Sequence, residues 1–182
     1  MNEQQKELVK EMVSCNTFLV RNIEANTNLK FPTYGKTEEI MTKTKKNTTY
    51  KDAANNILEV ATKHCKNDLL LNRITEMRKN ILLSDISDIR LISHWNTRAQ
   101  SELESDLSKV MTDTVIELNV GMYSLVEASE IVGINNETIK QACQDGRLFN
   151  VRKVGRGWQV NLNEIKEYWK INGERINKNE EK

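Results

Sequence analysis

Proline is nearly missing from this chain: Pro32 is the only one in 182 residues. Proline breaks helix interiors, so most of the sequence is free to be helical. Aromatic residues are also scarce, at 5%, and hydrophobic residues reach 38%, which predicts an aliphatic core of modest size. No apolar run approaches the roughly 20 residues of a membrane span. The opening residues MNEQQKELVKEM lack the apolar centre of a secretory signal. No membrane contact and a cytoplasmic location are therefore expected. Cys15, Cys65 and Cys143 are odd in number and widely spaced, which argues against a disulfide framework and fits a reducing compartment.

A dominant charge is lacking too. Lys and Arg number 27 against 26 Asp and Glu, a formal net charge of +1, so the overall balance names no partner. Clusters that carry chemistry are equally scarce. His64-Cys65 has no companion ligands at metal-site spacing, and nothing supplies a nucleophile for His94. Glu102, Glu104 and Asp106 read as the solvent side of a helix. Gly155-Arg156-Gly157 lacks the spacing of a phosphate-binding loop and belongs to a hairpin. No catalytic residue, metal site or cofactor is expected, and nothing makes a case for an enzyme.

What the sequence does have, over residues 1–119, is helical periodicity. Asn2 to Asn26 reads as an amphipathic helix with Leu8, Met12, Cys15, Leu19 and Ile23 on one stripe, widened by Val9, Val13 and Val20. Thr27 to Tyr50 holds Pro32, Gly35 and a Thr/Lys run, and reads as exposed loop with room for a short helix at Glu38 to Lys45. Lys43, Lys45 and Lys46 are expected to be solvated there. Lys51 to Lys66 is a second helix, with Ala53, Ala54, Ile57, Leu58 and Ala61 inward. A third follows a cap at Asn67 or Asp68 and runs to about Leu82 through Leu70, Leu71, Ile74, Met77 and Ile81. Ser84 can cap another. From there to Asn119 no Gly or Pro intervenes, and Ile86, Ile89, Ile92, Trp95, Ala99, Leu103, Leu107, Val110 and Met111 recur three or four apart. This predicts either one long helix or two with a break near Asn96-Thr97, suited to a coiled-coil seam or a bundle spine.

The most consistent stretch is Met122 to Trp169. Ala128, Ile131 and Val132 give a short helix an apolar face, and Gly133 stops it in the left-handed C-cap position. Ile134 packs back, and Asn135 caps a second helix, Asn136 to Asp145, with Ile139, Ala142 and Cys143 inward. Gly146 ends that helix. Leu148 to Val154 and Trp158 to Leu162 then read as two strands around the turn Gly155-Arg156-Gly157. Asn161, with Glu164 three residues on, predicts a capping box for a last helix with Ile165, Tyr168 and Trp169 on one face. Asn119 to Gly121 reads as a hinge into this region.

This order resembles the excisionase and MerR-type winged helix-turn-helix family. The carrying residues are Tyr123-Ser-Leu-Val-Glu-Ala-Ser, Val132-Gly-Ile-Asn-Asn-Glu-Thr-Ile, Asp145-Gly-Arg-Leu and Lys153-Val-Gly-Arg-Gly-Trp-Gln-Val. The resemblance covers the last third of the chain. It implies double-stranded DNA binding, with the second helix in the major groove and the hairpin on the backbone or in the minor groove. One departure is that the second helix is polar rather than basic. Charge gathers elsewhere: between Lys140 and Trp158, five basic residues (Lys140, Arg147, Arg152, Lys153 and Arg156) face Asp145 alone, a local patch suited to phosphate.

The expected fold is therefore mainly α: a helical bundle or coiled-coil-like domain (1–119), a small winged helix-turn-helix with one hairpin (120–172) and a flexible polar tail (173–182). The expected DNA-contacting residues are Asn136, Thr138, Lys140, Gln141, Gln144, Arg147, Arg152, Lys153 and Arg156, with Trp158 anchoring the hairpin. Double-stranded DNA is the expected partner, with a homodimer through the N-terminal helices raising affinity. A transcriptional regulator or excisionase-like factor of a mobile element is one reading. A phage or plasmid protein whose N-terminal domain binds a host or element-encoded protein is another, and a DNA-transfer accessory protein is a third.

Overall fold

The computed structural model describes residues 1–27, 40–42, 47–92 and 99–171. They are mainly helical, with one small three-stranded antiparallel sheet. No described helix is long and apolar enough to cross a membrane. Helix α1 (Glu3–Asn26) is the axis on which the rest is packed. Asn2 and Gln5 cap it reciprocally: Asn2 Oδ1 accepts from Gln5 N at 2.8 Å, and Gln5 Oε1 accepts from Asn2 N at 2.9 Å. The predicted stripe faces inward, but burial goes further. Every residue from Cys15 to Ile23 is buried, including Asn16, Thr17, Arg21 and Asn22. Periodicity understated this because the second half of α1 is covered by helices on one side and by the C-terminal sheet on another.

Helices α2 (Tyr50–His64), α3 (Asp68–Leu82) and α4 (Glu102–Asn119) complete the helical body. Thr49 and Asp52 form a capping box for α2, Asn67 caps α3 and Ser101 caps α4. Ala53, Ala54, Ile57 and Ala61 meet Leu70, Ile74, Met77 and Ile81 in the core, as their spacing predicts, and α4 adds Leu107 and Met111.

The segment after α3 corrects the expectation of a long helix from Ser84. Residues 83–89 form successive tight turns, in which Ser87 N donates to Ser84 O and Ile89 N to Ile86 O. Ser84 Oγ bonds back to Ile81 O at 2.7 Å and starts no helix. Arg90 then pairs with Thr49 in an isolated bridge, flanked by Tyr50 N to Ile89 O and Leu91 N to Thr48 O. Ser and Asp side chains compete with helix for the backbone. A spacing of three between Ile86, Ile89 and Ile92 also fits i→i+3 turns as well as it fits a helix. Among the described residues Leu103, Leu107, Val110 and Met111 pack inside this chain rather than along a coiled-coil seam. Of the short helix expected at Glu38 to Lys45, residues 40–42 are described and helical, with Ile40 and Met41 buried. Lys43, Lys45, Lys46, His94, Trp95, the expected break at Asn96-Thr97 and the tail 173–182 lie outside the described residues.

The C-terminal part runs β1 (Met122–Ser124), α5 (Leu125–Val132), α6 (Asn136–Gln144), β2 (Val151–Val154), β3 (Gly157–Asn161) and α7 (Leu162–Tyr168). Strand order is β1-β3-β2, with both pairings antiparallel. The third strand, β1, is an addition to the expected hairpin: three residues without a β-branched side chain give no signal alone, and pairing with β3 supplies it. A second core gathers Ala128, Ile139, Ala142, Cys143, Leu148, Val151, Trp158, Val160 and Ile165. Ile131, expected inward, is 38% exposed. The two cores touch through α1. Phe18 stacks toward Phe149 with ring centroids 6.5 Å apart, Ala25 packs on the second core, and Asn67 Nδ2 donates to Gly146 O.

Candidate nucleic-acid interface

Two elements present polar and basic side chains from the second core. Helix α6 is placed by its cap and by its buried face. Gly133 sits at φ +70° after α5, Asn135 Oδ1 accepts from Glu137 N at 2.8 Å, and Ile139, Ala142 and Cys143 turn inward. Thr138, Gln141 and Gln144 are thereby exposed, with Asn136 and Lys140 half-buried. The hairpin β2–β3 is placed by its turn and by Trp158. Gly155 has φ +59° and Arg156 does not have positive φ, the pattern of a II′ turn. Trp158 is 6% exposed and carries the Lys153 ammonium 5.7 Å from its ring centroid.

The nine expected contact residues fall into two groups. On and just after α6, the charges are already engaged. Lys140 Nζ lies 2.7 Å from Glu137 Oε1, Gln141 Nε2 donates to Asp145 Oδ1 at 2.7 Å, and Arg147 pairs with Asp145 at 2.9 Å beside the Tyr168 hydroxyl. On the hairpin, Arg152, Lys153 and Arg156 are all exposed and have no ion pair among the described residues. The free positive charge of this surface is therefore on the hairpin, and α6 offers a nearly neutral, amide-rich face.

Behind the hairpin lie two residues that sequence reading missed as part of this surface. Glu164 does not close the predicted capping box. Asn161 Oδ1 does cap α7, accepting from Asn163 N and Glu164 N, but the Glu164 carboxylate turns to the backbone N–H groups of Phe149 and Asn150, the latter at 2.8 Å. Burial raises its pKa above the ordinary carboxylate value, against the pull of those two N–H donors. Arg21 of α1 is 7% exposed, and its Nη2 donates to Leu118 O and Asn119 Oδ1, both at 3.1 Å. The expected hinge at Asn119 to Gly121 is thus gripped at its start. Neither role had a local signal, since Arg21 and Leu118 lie far apart in sequence.

Among the described residues no group of His, Cys, Asp or Glu is arranged to hold a metal ion. The three cysteines are free, with Cys15 and Cys143 buried. The chain has no significant match to any protein-family model, curated protein or solved structure.

Proposed function

We propose that this chain is a sequence-specific double-stranded DNA-binding protein whose residues 120–172 act as a winged helix-turn-helix. The observation that carries this reading is the set of three exposed basic side chains, Arg152, Lys153 and Arg156, without an ion pair among the described residues, on a hairpin that shares one compact core with the polar face of α6. Backbone contacts set register, and base-edge contacts set sequence. In this reading Arg152 and Lys153 hold phosphates, and Arg156 at the turn enters the minor groove. Asn136, Lys140, Gln141 and Gln144 face the major groove, where a side-chain amide matches the N7 and N6 of adenine. Thr138 holds a phosphate with the N–H groups at the start of α6. Arg147 borders the same surface.

So few free cations give weak binding by one copy, and a second copy would raise it through effective concentration. Of the apolar stripe expected to pair two copies, Ile86, Leu107 and Met111 are buried within this chain, so the proposed homodimer would draw on other exposed surface of the helices. A transcriptional regulator or excisionase-like factor of a mobile element fits this combination of weak module and large helical body. Selection of genomic fragments by the full-length protein, followed by gel shifts with wild type and Arg156→Ala, tests it. Enrichment of a short repeated site, weakened by the substitution, is expected. No enrichment at moderate salt would overturn the reading and direct attention to a protein partner of the helical body.

A further inference from the structure

Helix α6 ends on a carboxylate. Asp145 is its C-cap, where the helix dipole disfavours negative charge, so helix stability does not account for this residue. Both of its oxygens are engaged. Oδ1 accepts from Gln141 Nε2 at 2.7 Å, and Oδ2 pairs with Arg147 Nη2 at 2.9 Å. The backbone that carries it is fixed as well. Asp145 N donates to Gln141 O and Arg147 N to Ala142 O, both at 2.9 Å. Gly146 between them is buried at φ +68°, and its carbonyl accepts from Asn67 Nδ2 at the start of α3. The carboxylate is thus anchored through its backbone by the helical body and through Oδ2 by Arg147. An ionised carboxylate accepts hydrogen bonds and donates none. It therefore takes the exposed Gln141 amide by Nε2 and leaves Oε1 as the end turned away from it.

We propose that Asp145 is the specificity-setting residue of this surface: by fixing the Gln141 amide with its oxygen outward, it makes the position read by Gln141 accept adenine or cytosine and reject guanine and thymine. The major-groove edges of adenine and cytosine carry an amino donor for Oε1, whereas the hydrogen-bonding groups of guanine and thymine there are acceptors. The second Nε2 proton can still reach N7 of adenine, so adenine leads and cytosine follows. This inference rests on the DNA-binding function proposed above, and it gives the helical body a part in base choice through Asn67 and Gly146.

Selection of duplexes from a random library by the full chain, with sequencing of the bound pool, tests this. Gln141→Ala marks the position that this residue reads, as the one whose preference it abolishes. Wild type should favour adenine or cytosine there over guanine or thymine by about five-fold, the low end of what one well-placed side chain contributes to base discrimination. Asp145→Ala lets the amide turn either end outward, and that preference should fall toward parity. Its helical content should match wild type, because a carboxylate at a helix C-terminus is unfavourable. Glu137→Gln removes another carboxylate of α6, one paired with Lys140 instead, and should leave the position unchanged. In a Gln141→Ala background, Asp145→Ala should change nothing further at that position. A wild-type preference for guanine or thymine, an unchanged preference in Asp145→Ala, an equal loss in Glu137→Gln, or a Gln141→Ala variant that alters no position would overturn the proposal and leave DNA binding intact. If Asp145→Ala does not fold, the wild-type preference at the Gln141 position still decides it. If wild type enriches no duplex, the DNA-binding reading fails and this proposal fails with it.

Discussion

The two cores of this chain are assembled by opposite means. The helical body draws its core from residues far apart: Val9 and Met12 from α1, Ile57 from α2, Ile74 from α3, Ile86 from the turns, Leu107 from α4. The C-terminal core is drawn almost wholly from one short run between Ala128 and Ile165. Each step of that run is fixed locally, by the Ser124–Glu127 capping box, by Gly133 in the left-handed region, by Asn135, by a two-residue turn. Long-range packing makes the first core and local chemistry makes the second, and α1 is where the two are joined.

The largest expected effects ask whether that join makes one cooperative unit. Leu107→Ala should cost about 2–5 kcal/mol and Trp158→Ala about 3–5 kcal/mol, measured by urea unfolding. A single shifted transition in both variants is expected. A second transition in Trp158→Ala would show that the C-terminal core melts alone and that its docking on α1 is weak.

Two glycines sharpen the same contrast. Gly133 and Gly146 both have positive φ, at +70° and +68°, so alanine at either position carries about 1–2 kcal/mol of backbone strain. A Cβ on Gly133 meets nothing within 4 Å, whereas one on Gly146 meets Asn22 Nδ2 at 3.4 Å and Asn26 Nδ2 at 3.7 Å. Those distances are ordinary van der Waals contact with the ends of flexible side chains, so the two variants should lose similar stability in thermal unfolding. A much larger loss in Gly146→Ala would show that α1 presses tightly on this turn.

A smaller effect is one of sign. In the helical body, the paired hydrogen bonds from Arg73, at 2.6 and 2.7 Å, hold the Glu11 carboxyl below the ordinary carboxylate value. Its contribution is present above that value and is lost as pH falls through the lowered one. Burial raises Glu164 instead. Its folded form keeps the proton more tightly than the unfolded chain, so its contribution is fully present below the ordinary value and declines as pH rises through the raised one. Stability differences of wild type against Glu11→Gln and Glu164→Gln, followed by urea unfolding from acidic to neutral pH, should slope in opposite directions. Parallel slopes would show that Glu164 is not desolvated.

This contrast also explains what the sequence reveals. Helix ends at Gly133 and Asn135 and the inward set Ile139, Ala142 and Cys143 are legible because a few neighbouring residues determine them. The turns at Ser84 to Ile89 are not, since their apolar spacing suits helix and turn alike and only docking against Thr48 and Tyr50 decides. In the candidate site, the exposure of Arg152, Lys153 and Arg156 follows from the hairpin, which composition reveals. Asn161, three residues before Glu164, predicts a capping role for that carboxylate. The direction the Glu164 carboxylate takes depends on the bared N–H groups of Phe149 and Asn150, and Arg21 depends on the end of a helix nearly a hundred residues away.

The proposed DNA binding requires the exposed cations of the hairpin to hold phosphate. Duplex affinity of the full chain should be measured across a range of salt concentrations, for wild type and for the variant with Arg152, Lys153 and Arg156 all changed to alanine. Loss of three phosphate contacts should flatten the log–log slope by about 2.7 while the helical content of the two proteins stays the same. Equal affinities and equal slopes would contradict the account.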